Sequence, residues 1–133
     1  MANNIVYPTV DKIIEYNLLV LNMIKVKKAD KAEVLNQHGI VNVIDNCKEV
    51  QGDIYDKAVC LLKGLIQSHS FASGNRRTAF VVVKDFVNSN KGKFGIKDDP
   101  KHARVMQGIR ENYYTGDEIK EWIKNGKIRR FER

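Results

Sequence analysis

The chain has 133 residues, of which 43% are hydrophobic and 29% charged, and this is the composition of an ordinary globular protein. The composition argues against a disordered or collagen-like chain, and the length fits one domain, 1–133, with its own hydrophobic core. Lys and Arg outnumber Asp and Glu by 23 to 16, and the net charge of +7 fits either negatively charged partners or simply a Lys-rich, solvated surface.

Helical spacing of apolar residues predicts helices along most of the chain. The first helix is predicted from Thr9, which can cap it, to about residue 25, and a polar connection is predicted over residues 27–31. Residues 38–48 fit either a short strand or a helix. We favour the helix, because Ile40, Ile44 and Cys47 then share one face.

Two helices are predicted to form the buried centre. The first begins after Asp53, a residue type that caps helices, and its broad apolar stripe extends to about Ser68 or His69. The second is predicted from Asn75 to about Ser89. Its β-branched centre would also suit a buried strand, but the length of the segment favours a helix.

The C-terminal third is predicted to hold two more helices. One is predicted over residues 98–112, with Pro100 tolerated in its first turn. Thr115 followed three residues later by Glu118 is the pattern of a capping box, and it predicts a last helix that ends before Gly126. The basic tail, 126–133, is predicted to be loosely held. The predicted fold class is therefore all-α, with five or six helices.

Residues 69–77, HSFASGNRR, combine features of a phosphate site between the two central helices. Gly74 allows a positive φ, and the first N–H groups of the following helix lack helical partners and attract anions. Arg76 and Arg77 lie in that first turn, where the helix dipole disfavours cations and a bound anion would relieve the conflict. His69 has a side chain that exchanges protons near neutral pH, which suits a general base.

Each of these features alone has a simpler interpretation, as a surface charge or a helix cap, and their coincidence within nine residues is what favours a phosphate site. The other two histidines, His38 and His102, belong to no such group and are interpreted as surface residues. Cys47 and Cys60 match no metal-binding spacing, so a reduced, cytoplasmic protein is expected. No apolar stretch approaches the about 20 residues of a membrane span, and the N-terminus lacks the pattern of a secretion signal.

The segment resembles the signature of the Fic/Doc family, His-x-Phe-x-(Asp/Glu)-(Gly/Ala)-Asn-(Gly/Lys)-Arg. The matching residues are His69, Phe71, Gly74, Asn75 and Arg77. The resemblance extends over about residues 38–125 and is closest to the compact Doc (death-on-curing) branch. It implies an all-α Fic fold and a cytoplasmic transferase that uses ATP as co-substrate.

The resemblance also implies a role for each motif residue. His69 would take the proton from a target hydroxyl, while Gly74, Asn75 and Arg77 would hold the phosphates. The position before the last Arg is Gly in Fic enzymes that transfer a nucleoside monophosphate. It is Lys in Doc, which transfers the terminal phosphate to a translation elongation factor. Arg76 is a cation like Lys and favours phosphate transfer, although its planar group has a different geometry.

Ser73 departs from the signature, because the family has a Mg²⁺-binding acidic residue at that position. A serine hydroxyl is able to bind Mg²⁺, but the site loses a negative charge, so nucleotide and water would hold most of the metal. Two alternatives to phosphate transfer therefore stay open. One is a Fic-type nucleotidyl (AMP) transferase, and the other is a Fic-fold binding module that has lost its chemistry.

The resemblance finally implies partners. The inhibitory pattern of some Fic proteins, (Ser/Thr)-x-x-x-Glu-(Gly/Asn), is incomplete here, because Gln107 stands at its first position, before Glu111 and Asn112. We therefore expect an antitoxin in trans, a translation factor as target, and no membrane. The basic stretches 91–93 and 127–130 keep nucleic acid open as a further partner.

Overall fold

The computed structural model describes residues 4–24 and 32–132 of the chain. These residues form six helices and no sheet, and one antiparallel bridge joins Val34 to Phe71. The helices are α1 (Val10–Ile24), α2 (Gln37–Glu49), α3 (Ile54–Ser68), α4 (Asn75–Ser89), α5 (His102–Arg110) and α6 (Gly116–Asn125). The predicted all-α fold class is confirmed. The connection predicted over residues 27–31 lies outside the described residues. Within the described ranges, no helix has the length and apolarity to cross a membrane.

Helix α3 is the centre of the fold, with α2, α4, α5 and α6 all packed against it. Its apolar stripe is buried as predicted, through Ala58, Leu61, Leu62, Leu65 and Ile66. Residues 37–49 form a helix rather than a strand, and the buried residues of α2 lie on the single face that the helical spacing predicted. This packing places the end of α3 beside the start of α4, where the motif lies.

Helix starts follow the predicted caps. The Asp53 carboxylate accepts hydrogen bonds from the backbone N–H groups of Tyr55 and Asp56, and the Asp56 carboxylate accepts one from Asp53 N, which completes a capping box. Thr115 and Glu118 form the second capping box. Both caps were readable because their partners lie three residues apart.

Helix α5 is shorter than the predicted 98–112. It begins at His102 because the Asp99 carboxylate accepts a hydrogen bond from Lys101 N at 2.9 Å, and the Asp99 carbonyl accepts one from His102 N at 3.0 Å. These bonds close a tight turn around Pro100 instead of an α-helical turn. The helix ends at Arg110, and Asn112 then has a left-handed φ of 60°.

The prediction of a loosely held tail is wrong for residues 127–132. The Phe131 ring is only 4% exposed and lies edge-to-face with the Tyr113 ring, with 4.9 Å between the centroids. Gly108 makes room for this ring, since an added Cβ would lie 3.1 Å from it. Arg129 pairs with Glu118 and donates to the Tyr113 carbonyl at 2.8 Å. One buried aromatic residue therefore anchors a segment whose composition is basic.

The Arg129 guanidinium, hydrogen-bonded to Glu118, lowers the pKa of that carboxyl to about 2. Because this value lies below the ordinary 4.5, the pair stabilises the fold above about pH 4.5 and loses that effect as the pH falls toward 2. We expect Arg129→Ala to raise the pKa of Glu118 toward 4.5, as measured by an NMR titration of its side-chain carboxyl carbon. Arg130→Ala is the matched control. An unchanged titration in Arg129→Ala would contradict the assignment.

Lys57, on α3, is a lysine that is buried in the described structure, with 6% of the residue exposed. Its ammonium donates hydrogen bonds to the carbonyls of Cys47, Lys48 and Val50, at 3.3, 3.1 and 2.8 Å. These carbonyls end α2, where the helix dipole favours a cation. The side chain thus caps the C-terminus of a neighbouring helix.

Candidate functional site

The loop of residues 69–74 joins α3 to α4 through two left-handed residues. His69 ends α3 with φ 49°, and Gly74 precedes α4 with φ 77°. A Cβ at Gly74 would lie 3.1 Å from the Leu21 side chain and 3.3 Å from the Asn17 amide. Both the left-handed backbone conformation and the limited space therefore favour glycine at position 74.

The side chain of Asn75 holds the loop from within. Its Oδ1 accepts a hydrogen bond from Phe71 N at 3.0 Å, and its Nδ2 donates one to the Phe71 carbonyl at 2.8 Å. The Phe71 ring is buried in the core, which fixes the same residue from the other side. The Asn75 amide group is thus occupied by the loop, and the contribution of this residue to an anion site comes from its backbone N–H.

A second chain segment, 33–36, holds the loop from outside. Leu35 N and Asn36 N both donate to the Ser70 carbonyl, at 2.7 and 3.1 Å, and Ala72 N donates to the Glu33 carbonyl at 3.0 Å. Together with the Asn75 clamp, these bonds fix the backbone between the two central helices. The loop geometry is therefore set before a ligand arrives, which lowers the ordering cost of binding.

Asn17 on α1 is a loop-holding residue that the sequence analysis missed. It is 1% exposed, and its Nδ2 donates to the Ser73 carbonyl at 2.9 Å and to Thr78 Oγ1 at 3.1 Å. The available signal was an amide residue on the apolar face of α1, between Ile13 and Val20. A buried polar group of this kind needs partners, and here they lie in the motif.

We expect Asn17→Ala to lower the free energy of unfolding by about 2 kcal/mol, because two buried hydrogen bonds are lost and the Ser73 carbonyl loses a donor. We also expect weaker phosphate binding, since the turn at Gly74 loses its tether. Urea denaturation and titration with ATP measure the two effects. Asn22→Ala, an exposed asparagine on the same helix, is the control. Equal stability of the two variants would contradict this role.

One cleft of about 1350 Å³ brings five predicted site residues together. It is lined by His69, Gly74, Asn75, Arg76 and Arg77. Val20 and Met23 of α1 and one side of α5 form other parts of its wall. The volume exceeds that of most small-ligand pockets and is sufficient for a nucleotide. Two motif positions discussed above do not line the cleft: Phe71, whose ring is buried in the core, and Ser73.

The cleft is strongly cationic. Five of its lining residues are Lys or Arg, against the single carboxylate of Asp98 among the described residues: Arg76, Arg77, Lys84, Arg104 and Arg110. Across the described ranges, none of these five has a carboxylate oxygen within 4.0 Å. Positive charges gathered without counter-charges are typical of a site for an anionic ligand.

The start of α4 also has groups that attract an anion. Gly74 gives no side-chain cap, and no described residue accepts a hydrogen bond from the backbone N–H groups of Asn75, Arg76 or Arg77. Three unsatisfied donors at the positive end of the helix dipole form the arrangement that binds phosphate groups.

The two cleft histidines differ in their surroundings. His69 is exposed, and none of the described residues forms a hydrogen bond with its ring, so neither ring nitrogen is engaged within the described structure. His102 is half-buried and stacks on Phe80 with 4.5 Å between ring centroids, which corrects its interpretation as a surface residue. Burial lowers the pKa of His102 and outweighs nearby Asp98, while Arg77 lowers it further, so the site favours the neutral ring.

The donor atoms do not fit a Mg²⁺ held by the protein itself. Within residues 4–24 and 32–132, no three His, Cys, Asp or Glu residues are grouped as metal ligands. The Ser73 carbonyl is engaged by Asn17, and Asp98 is the only described carboxylate on the cleft wall. A Mg²⁺ in this cleft would enter with the nucleotide, as part of the substrate.

Comparison with known proteins adds no further constraint. No model of a known protein family matches the chain, and no curated protein matches it either. The functional assignment therefore depends on the motif residues and on the geometry of the cleft.

Proposed function

We propose that this chain is a Doc-like phosphotransferase that moves the terminal phosphate of ATP to a hydroxyl group of a translation factor. In this proposal the chain is the toxin of a toxin–antitoxin pair, and its inhibitor is supplied in trans. The observation that carries the proposal is that His69, the open start of α4 and the arginines of its first turn line one cleft. The target and the antitoxin come from the family resemblance.

The charges of the cleft support the proposed binding of ATP. The phosphates would accept hydrogen bonds from the backbone N–H groups at the start of α4, which have no acceptor among the described residues. Arg76 and Arg77 would neutralise their charge, and the guanidinium geometry suits phosphate oxygens. A bound phosphate also removes the unfavourable placement of two cations at the positive end of α4.

The transfer step is a displacement at the terminal phosphorus. The target hydroxyl oxygen forms a bond to that phosphorus while the bond to the oxygen bridging the last two phosphates breaks, and ADP leaves with the electron pair. The hydroxyl proton passes to the His69 ring. Catalysis of this kind depends on positioning and on stabilising charge, which a rigid loop and a cationic cleft supply.

A second candidate is a nucleotide-binding module without turnover. It is favoured by Ser73, which stands in place of the family's acidic residue, and by the single carboxylate on the cleft wall among the described residues. In this case ATP binds through the same helix start and the same arginines, but no group is transferred. The two candidates differ in turnover and not in where they place the phosphates.

The test uses ATP labelled on either the α- or the γ-phosphate. The purified protein is incubated with Mg²⁺, labelled ATP and a lysate of a host that tolerates it, and the proteins are separated. We expect label on a protein band from the γ position only. With the His69→Ala variant we expect no labelled band. Label from the α position would contradict phosphate transfer and show that the chain transfers a nucleotidyl group. ATP binding without label would favour the binding module.

A further inference from the structure

A second groove of about 700 Å³ adjoins the cleft. The two concavities share Ile96, His102 and Arg104, so they lie side by side, with the start of α5 between them. The cations that line the second groove are Lys97, Lys101, Arg104, Lys127, Arg129 and Arg130. Among the described residues, Asp99 is its only carboxylate. The proposed phosphate transfer assigns no role to this groove.

Among the described residues, the positive charge is concentrated in these two concavities. Together they are lined by ten Lys or Arg residues and by two Asp residues. The remaining described residues contain eight Lys or Arg and 13 Asp or Glu, so the rest of the described surface carries a net negative charge. Since the described chain segregates its charges in this way, the positive face is a separate feature and not a consequence of a generally Lys-rich surface.

These cations are exposed and almost all lack counter-charges. Of the ten, Arg129 alone has a carboxylate partner within 4.0 Å in residues 4–24 and 32–132, namely Glu118. Clustered like charges repel each other and weaken the folded state, so a partner that neutralises them gains binding energy. The face therefore fits an extended polyanion.

We propose that the cleft and the second groove together bind a single-stranded nucleic acid. Six of the ten cations are arginines, whose planar groups bind phosphate oxygens in pairs and stack on bases. At the junction of the two concavities, the half-buried His102 ring lies stacked on Phe80, which offers an aromatic platform for a base.

A nucleic acid fits this face better than an acidic peptide does. Its phosphates recur along the backbone, so one strand crosses α5 and reaches cations in both concavities without a particular sequence. An acidic peptide would use the charges but not the aromatic platform. This inference concerns binding, and it holds with or without transfer of phosphate from ATP.

The binding test uses a fluorescein-labelled single-stranded RNA of 20 nucleotides and mixed sequence, titrated with the intact protein in the absence of ATP. We expect a dissociation constant between about 1 and 100 µM near physiological salt. Neutralising about seven phosphates gives a slope of about −5 for the logarithm of the binding constant against that of the salt concentration. No detectable binding at 100 µM protein would overturn the proposal.

A charge-reversal pair locates the binding face. The groove variant carries Lys97→Glu, Lys127→Glu and Arg130→Glu, and the control carries Lys12→Glu, Lys48→Glu and Lys63→Glu, none of which lines either concavity. Both sets change the net charge equally. We expect the groove variant to bind RNA at least tenfold more weakly, with a salt slope about two units shallower. We expect the control to stay within about threefold of the parent. Equal weakening of both would overturn the proposal.

Two further measurements need no altered protein. RNA-induced changes of amide NMR shifts should cluster in residues 69–77, 95–104 and 127–131, and changes centred on α2 would overturn the inference. Poly-glutamate serves as the competitor that stands for an acidic peptide. We expect poly-glutamate to displace the labelled RNA only when its concentration, counted as negative charges, is at least tenfold that of unlabelled RNA giving the same displacement. Displacement at the same concentration of negative charges would overturn the proposal and indicate an acidic protein segment as the ligand.

Discussion

Replacing His69 with alanine is expected to lower the rate of phosphate transfer by about 10²- to 10⁴-fold, the range that removal of a general base produces. The reason is that His69 lines the cleft beside the start of α4, and no described residue engages its ring. The affinity for ATP is expected to change little, because the phosphates bind to backbone N–H groups and arginines. Initial rates at saturating and limiting ATP separate the two effects.

The backbone at position 69 requires its own control, since φ is 49° there and alanine tolerates this conformation less well than glycine or asparagine. His69→Asn keeps a side chain suited to the left-handed region but supplies no base, so it is expected to lose activity as His69→Ala does. His38→Ala, at an exposed position on α2, is expected to keep full activity. Activity retained in both His69 variants would remove the histidine from the mechanism.

Replacing Lys57 with methionine is expected to lower the free energy of unfolding by about 3 kcal/mol. Methionine has a similar shape but no hydrogen-bond donor. The carbonyls of Cys47, Lys48 and Val50 therefore each lose a hydrogen bond from a buried side chain. For a chain of this length the loss corresponds to a fall in the melting temperature of roughly 10 °C. Thermal and urea denaturation followed by circular dichroism measure both quantities.

Lys93→Met is the matched control for this prediction, because Lys93 is exposed and only its backbone is engaged, by the Tyr55 hydroxyl. The control is expected to stay within about 0.5 kcal/mol of the parent. Equal stability of the two lysine variants would show that the hydrogen bonds from Lys57 to the three carbonyls do not stabilise the fold.

The parts of the fold that the sequence predicted are those that depend on near neighbours. Asp53 and Thr115 were identified as caps because each partner lies three residues away. The grouping of His69, Gly74 and Arg77 was also predictable, since one short loop between two helices contains all of them. Their common position on a cleft wall follows from this continuity.

The parts that escaped prediction depend on residues far apart in the chain. Asn17 reaches the Ser73 carbonyl across 56 positions, and Phe131 meets the Arg104 side chain across 27 positions. Nothing near Lys57 in the sequence distinguishes it from a surface lysine, because the carbonyls that bind it end another helix. The start of α5 was misplaced for a local reason, since the Asp99 side chain competes for the N–H groups that a helix would use.

The segregation of charge has a consequence for how the protein meets any flat, negatively charged support. The described residues place ten of their 18 cations along two adjoining concavities, so such a support attracts this face and favours an orientation with the cleft toward the surface. A sensor chip coated with carboxylated polymer, or a cation-exchange resin, would therefore cover the cleft. Attachment through a residue outside the two concavities leaves the cleft open to solution.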